Sequence, residues 1–369
     1  MNRKSPLLLV GVGGAGAAMA RGVRRAFGEP LRIVLADTDA ATGRDDAPFV
    51  LLGGDRLSGR GSGGDTVQAR LAAEDSAKSF DEHLEGVRLA VVVTAMGGGT
   101  GSGATYEMVR HFADAGVPSM VFATLPFSFE GEDRQRRAAG MKSMIEDVAG
   151  AAFFPPLDQL VGGCDGMEEA MRRATDTLAS GVTLFWRMLE KPGYIRLDAE
   201  RVRAIVASAG KARFACATAS GEGRAAEVAD AIARSPLLAH GSGPVRSILC
   251  GVLSGDDLRL SEISRIADGV RDAFGHAAKF ELSTVNDEAT FSGRLSVVTM
   301  LFESGDGVEE PAHGEATAGA RPRRTRRAVN PLASGQPERG RFTNVQPTVW
   351  KGEDLDIPTF VRRSITLDI

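Results

Sequence analysis

The sequence predicts an α/β protein: a parallel sheet with helices on both faces, joined by one long helix to a second α/β region. Three observations carry that expectation. Short apolar runs alternate with amphipathic segments from Leu7 to Thr124, the pattern of repeated βα units. The stretch MEEAMRRATDTLASGVTLFWRMLE (167–190) keeps a helical apolar period until Pro192–Gly193, which cannot continue a helix. After Ser304 the composition turns abruptly to Gly, Pro, Ala and Arg, too poor in large apolar side chains to offset chain entropy, so a disordered linker is expected.

The elements follow in order. LLLVGV (7–12), LRIVLA (31–36), LAVVVT (89–94) and SMVFAT (119–124) read as strands, with helices over 17–27 and 105–115 between them. The glycine-rich segment 59–63 precedes a helix that begins near Asp65. Beyond the long helix, strands are expected near 212–219, 246–253 and 296–303, and helices over 223–235 and 259–274. At the C-terminal end, Ile357, Phe360 and Val361 would share one helical face of DLDIPTFVRRSITLDI, a short partner-docking motif on a tether.

Composition narrows the function classes. Of 369 residues, 43% are apolar and 25% charged, and the net charge is −4, a globular balance that favours neither nucleic acid nor membrane as main partner. The basic run RPRRTRR (Arg321–Arg327) reads as a solvated part of the linker. Cys164, Cys216 and Cys250 are widely spaced with no C-x-x-C pair, as reduced cysteines of a cytosolic protein would be, and no metal site is expected. No apolar segment approaches the ~20 residues of a membrane span, so a soluble, cytoplasmic protein is expected.

The glycine turns carry the chemistry. Gly11-Val12-Gly13-Gly14-Ala15-Gly16 satisfies G-x-G-x-x-G between a strand and a helix, with Asp37 ending the next strand. Alone this is a dinucleotide fingerprint, in which the acid would hold a ribose hydroxyl. A second turn, GGGTGSG (97–103), also leads from a strand into a helix, and a third, around Gly59, Gly61 and Gly63, precedes another. Backbone N–H groups and helix N-termini at one sheet edge suit a triphosphate better than a pyrophosphate bridge. Thr100 and Ser102 would add hydroxyls. No P-loop motif occurs and only five histidines are scattered along the chain, which argues against both a P-loop protein and an oxidoreductase.

These residues make the chain recognisable. GGGTGSG is the signature of the tubulin and FtsZ superfamily, and the sequence resembles the FtsZ family of bacterial cell-division tubulin homologues over nearly its whole length. LLLVGVGGAGAA, ADTDA (36–40), GRGSG (59–63) and LPFSFEGEDR (125–134) resemble its nucleotide loops, and LDIPTFVRR (355–363) its C-terminal adaptor-binding peptide. The resemblance implies the tubulin/FtsZ fold: a nucleotide-binding domain (1–166), a central helix (167–193), a C-terminal polymerisation domain (194–304), a linker (305–350) and a partner-binding peptide (351–369). It implies that Gly13, Gly14, Gly16, Asp37, Gly61, Gly97, Gly98, Gly99, Thr100 and Gly101 surround GTP or GDP, with Mg2+ accompanying the nucleotide. Glu130 would hold the ribose, Arg134 would approach the terminal phosphates, and Asp176 would read the guanine N1–H and N2 amino group. The partners implied are further copies of the chain, stacked head to tail, membrane-tethering adaptors through Leu355–Arg363, and a second FtsZ.

Two sets of positions depart from the family pattern. Ala17 and Ala18 stand where the first loop ends in asparagine, and Asp37 where many relatives carry asparagine, changes expected to alter nucleotide affinity rather than abolish it. The loop that completes the neighbour's active site ordinarily reads Asn-x-Asp-x-x-Asp, whereas this chain has YIRLDAERV (194–202). Asp198 keeps the first acid, but Arg196 replaces the asparagine and Arg201 the second acid. A guanidinium accepts no proton and binds no cation, and losing a general base costs on the order of 10²–10⁴ in rate. Glu200 is the alternative carboxylate, though an adjacent helical position points about 100° aside. Alternatively Arg196 or Arg201 contacts the neighbour's γ-phosphate. The expectation is a GTP-binding, filament-forming cell-division protein of the cytoplasm with weakened hydrolysis, or else a non-hydrolysing scaffold that co-assembles with another FtsZ.

Overall fold

A computed structural model of the chain describes residues 5–303, apart from 29, 44–46, 162–165, 208, 240–242 and 277, together with Val349–Trp350 and Glu353–Asp354. Cys164, the basic run, most of the expected linker and the peptide Leu355–Arg363 lie outside the described residues. Residues 1–309 form one compact unit and 310–369 another. In the second unit, Val349–Trp350 pairs antiparallel with Glu353–Asp354.

The first half builds its strands and helices in alternation. β1 (Leu7–Val12) leads into α1 (Gly13–Phe27), and β2 (Ile33–Asp37) and β3 (Phe49–Leu51) precede α2 (Gly54–Leu57), α3 (Thr66–Asp75) and α4 (Asp81–Leu84). β4 (Leu89–Ala95), α5 (Thr105–Asp114), β5 (Ser119–Thr124), α6 (Glu132–Val148), β6 (Ala151–Phe153) and α7 (Leu157–Val161) complete it. Apart from the edge strand β3, each strand is buried on both faces, so its sequence is a near-continuous apolar run rather than an alternation. Side chains still alternate: Leu7 and Leu9 join the cluster with Met19 and Val23 of α1, while Leu8 and Val10 join Met108 and Phe112 of α5.

The long helix α8 (Met167–Glu190) begins and ends where its sequence predicts. It lies against α1 because Gly22 lets it close in: a Cβ there would stand 3.3 Å from the Ala179 Cβ. After α9 (Ala199–Ala207) come β7 (Gly210–Ser220), α10 (Arg224–Ala233), α11 (Pro236–Ala239), β8 (Val245–Ser254), α12 (Leu260–Phe274), β9 (Lys279–Asn286), α13 (Glu288–Phe291) and β10 (Arg294–Glu303). All ten strands form one sheet in the order β3-β2-β1-β4-β5-β6-β7-β10-β8-β9. Pairing is parallel from β3 to β7, antiparallel where β10 inserts between β7 and β8, and parallel again at β9. In the second half Arg224, almost fully buried, donates to Glu262 and Asp257 at 2.7 Å and fastens α10 to the start of α12.

Candidate nucleotide site

The carboxyl ends of β1 and β4 release two glycine turns, and a third, after α2, packs on the second. Gly13 (φ +73°) lies so near the second turn that a Cβ on it would sit 3.3 Å from the Gly101 nitrogen, and this left-handed φ favours glycine. α1 starts at Gly13 itself, with no side chain capping it, so its first N–H groups are free to meet an anion. The predicted start at residue 17 was late because glycines argue against helix; here they form its first turn. The second turn runs Thr100–Ala104 as a single π-type turn into α5, which also lacks a side-chain cap. Gly14 and Gly98 each face open space where a side chain would meet nothing within 4 Å.

Hydroxyl groups hold these turns in shape. Thr94 donates to the carbonyls of Val12 and Gly101 at 3.0 and 3.2 Å, tying the first two turns together. Ser102 is fully buried, and its Oγ accepts the Gly97 N–H at 2.9 Å. It therefore shapes the loop from inside and is not turned towards a phosphate. Thr38 and Thr100 share a hydrogen bond of 2.7 Å, and Gly61 N–H donates to the Thr38 carbonyl at 3.0 Å. Thr38 was missed in the sequence because a threonine inside ADTDA has no spacing signal of its own.

The third turn, 59–64, packs directly on the second. A Cβ on Gly99 would strike Ser62 and Gly64. Asp65 ends the turn by capping α3, its carboxylate accepting the N–H groups of Val67 and Gln68. Asp37 is buried, and its two oxygens accept from Asp39 N–H at 3.3 Å and Thr42 Oγ1 at 2.7 Å. Both bonds lie within its own turn. Glu130 accepts the Phe127 N–H at 2.8 Å and a hydrogen bond from Arg134, one helical turn on. Arg134 in turn borders Gly97.

On the other side of the first turn, a cavity of about 430 Å³ opens between α1 and α8. Ala15, Ala18 and Met19 line one wall, and Met171, Thr175 and Asp176 the other. Asp176 is exposed at its mouth, with Arg172 3.5 Å away as its ion-pair partner. The residues predicted to surround the nucleotide therefore adjoin one another along a trough: Asp176 and the first turn share the cavity, Gly13 touches Gly101, and the second turn borders the third through Gly99 and Arg134 through Gly97. Among the described residues no group of three or more His, Cys, Asp or Glu is placed to hold a metal ion.

The segment after α8 lies elsewhere and is fastened to β9. Asn286 and Thr284 N–H donate to the carbonyls of Pro192 and Ile195, and Ile195 N–H donates to Thr284 Oγ1 at 2.9 Å. Gly193 crosses β9 so closely that a Cβ would collide with the Thr284 carbonyl. Asp198 caps α9 by accepting Glu200 N–H at 2.9 Å. Glu200 pairs with Arg88 at 2.6 Å and Arg203 at 3.5 Å. Arg201 reaches back to Glu281 of β9 at 2.6 Å, the carboxylate 12% and the guanidinium 54% exposed. Arg196 is exposed, beside the 70% exposed Tyr194, and no ion pair holds it among the described residues.

Comparison with known proteins agrees with this architecture. Residues 6–160 match the Tubulin/FtsZ family GTPase domain, and residues 210–301 the FtsZ family C-terminal domain. The chain belongs to the FtsZ family. It is 29% identical to the cell division protein FtsZ of Pseudomonas aeruginosa over 96% of this chain and 95% of that one. The Coxiella burnetii FtsZ is 28% identical over 98% and 97% respectively. Among solved structures, an FtsZ dimer from M. jannaschii superposes with a TM-score of 0.75 at 22% identity, covering 84% of this chain and 95% of that one. CetZ2 from Haloferax volcanii, solved as a GTPγS-bound protofilament, superposes at 0.66 with 23% identity, over 81% and 93%. These last two likenesses establish the shared fold. Among the described residues no helix is long and apolar enough to cross a membrane.

Proposed function

We propose that this FtsZ-family chain binds GTP in the trough and stacks head to tail into filaments for cell division, with hydrolysis across the subunit interface weakened. The binding part is supported by two starts without side-chain caps, at Gly13 and at the π-type turn from Thr100, and by glycines whose missing side chains leave a cradle at Gly14 and Gly98. Backbone N–H groups would hold the phosphates. Asp176 would accept from the guanine N1–H and N2 amino group, a pairing adenine cannot offer. Glu130 and Arg134 would divide between ribose and terminal phosphate. Mg2+ would sit chiefly on phosphate oxygens, with the half-buried Thr100 hydroxyl, itself bonded to Thr38, as a neutral protein ligand.

The weakened hydrolysis rests on one observation: both acids of the loop 194–203 already have partners. Asp198 caps α9 and Glu200 is held by Arg88 and Arg203. A carboxylate so engaged is a poor acceptor for a water proton. Arg196, exposed and without an ion pair among the described residues, is the group left to meet the neighbour's γ-phosphate, which would tighten the filament without supplying a base. The same observation favours a second reading, a non-hydrolysing scaffold that co-assembles with another FtsZ. In either case the protein would work in the cytoplasm at the division site, tethered through Leu355–Arg363.

Sedimentation with different nucleotides tests the proposal. It predicts a pellet with GTP and none with ATP or without nucleotide. Pelleting that ignores the nucleotide would refute it, and pelleting with GTP only when a second FtsZ is added would select the scaffold reading.

A further inference from the structure

Beyond the residues that the sequence singled out, α6 carries a second arginine on the face of Arg134, three positions on. Arg137 donates through Nη1 to the Gly64 carbonyl at 2.8 Å, while its Nε is buried with no hydrogen-bond partner. Gly64 ends the third turn, in which Gly59, Gly61, Gly63 and Gly64 all have positive φ. A run of such glycines has little conformational preference of its own, so an outside contact must select how it lies. Packing on Gly99, with the Gly61 N–H bonded to the Thr38 carbonyl and the Ala40 N–H to the Gly59 carbonyl, fixes the body of the turn. Arg137 supplies the contact at its Gly64 end.

The order of neighbours fixes what this turn meets. Asp176 and the cavity lie at the α8 side of α1, Gly13 touches Gly101, and the third turn covers Gly99 on the far side. A nucleotide whose base lies by Asp176 therefore brings only its terminal phosphate to the third turn. We infer that Arg137 is a positioning residue that holds the third glycine turn over the terminal phosphate and so sets the preference for nucleoside triphosphate over diphosphate. The inference rests on the GTP reading above. The Arg137 Nε–H is a buried donor without a partner, and an unpaired buried donor is costly. An anion at the end of the trough gives the turn and its arginine a reason to be held there.

The test uses the full chain, the variants Arg137→Met and Arg137→Lys, and two readouts. Binding of GTP and GDP is measured at equilibrium, and trypsin cleavage after Arg60, exposed in the third turn, is followed with and without GTP. Losing one charge-assisted hydrogen bond corresponds to about tenfold in affinity. Arg137→Met should therefore lose about that factor for GTP, keep its GDP affinity within about twofold, and lose the GTP protection at Arg60. Arg137→Lys should recover part of both, since an ammonium can still donate to one carbonyl. Equal losses for GTP and GDP, or unchanged protection at Arg60 in a folded variant, would overturn the inference. If the unchanged protein binds neither nucleotide, the functional reading itself fails and takes the inference with it.

Discussion

At the residue scale, the loop after α8 shows how one substitution is absorbed. Arg201 occupies a position where the family pattern has an acid, and the structure gives it Glu281 as partner. Arg201→Asp would therefore place two carboxylates together on the β9 side and return no base to solvent. The expected outcome is a loss of about 1 kcal/mol, the scale of a half-exposed ion pair, with no gain in phosphate release. Adding Glu281→Arg should restore the stability and still give no turnover. Urea unfolding and a phosphate assay check both. A gain in turnover from Arg201→Asp alone would mean that the side chain leaves Glu281 and serves the split site. The thiols of β7 and β8 need no such account: burial pushes Cys216 up to about 11 and Cys250 up to about 12, which leaves both unreactive near neutral pH.

At the element scale, close approach decides more than propensity does. A Cβ on Gly181 of α8 would collide with the Phe214 ring, which is itself held edge-on by Phe122 and Phe153. Gly181→Ala should be destabilising by about 1–3 kcal/mol, the range for overpacking, although alanine is favoured in a helix by about 1 kcal/mol. Thermal unfolding measures the sign, and a stabilised variant would show that the ring can move. The same contrast explains what the sequence made legible. Strands β1, β4 and β5 and helix α8 were readable because their apolar pattern is long or sits between glycine turns. β6 has three residues and is a strand only because β5 and β7 flank it. α6 is charged at nearly half of its positions and has two buried side chains, Ala138 and Ile145, so it has almost no apolar stripe to read. The glycine turns announced a phosphate site, but Ser102 turning inward to Gly97 is a matter of loop geometry without a spacing signal, and Arg137 reaching Gly64 depends on packing between segments far apart in sequence.

At the scale of the whole molecule, one continuous sheet carries the trough at one place and the loop of Arg196 at another. Its second half depends on charge: the Arg224 guanidinium holds the Glu262 and Asp257 carboxyls below the usual carboxylate range. Because their folded values are depressed, this stabilisation is complete at neutral pH and is lost as pH falls through those values. Arg224→Met should be clearly less stable than the unchanged protein at neutral pH, and the gap should narrow below about pH 4, where free carboxylates protonate. A gap independent of pH would assign the effect to packing alone. The central claim, assembly with little hydrolysis, is tested most directly by phosphate release from GTP across a protein concentration series, with sedimentation in parallel. The account predicts a pellet with GTP and almost no phosphate released. Brisk release that rises steeply with concentration would contradict it, and would require Glu200 to leave Arg88 and act as the base.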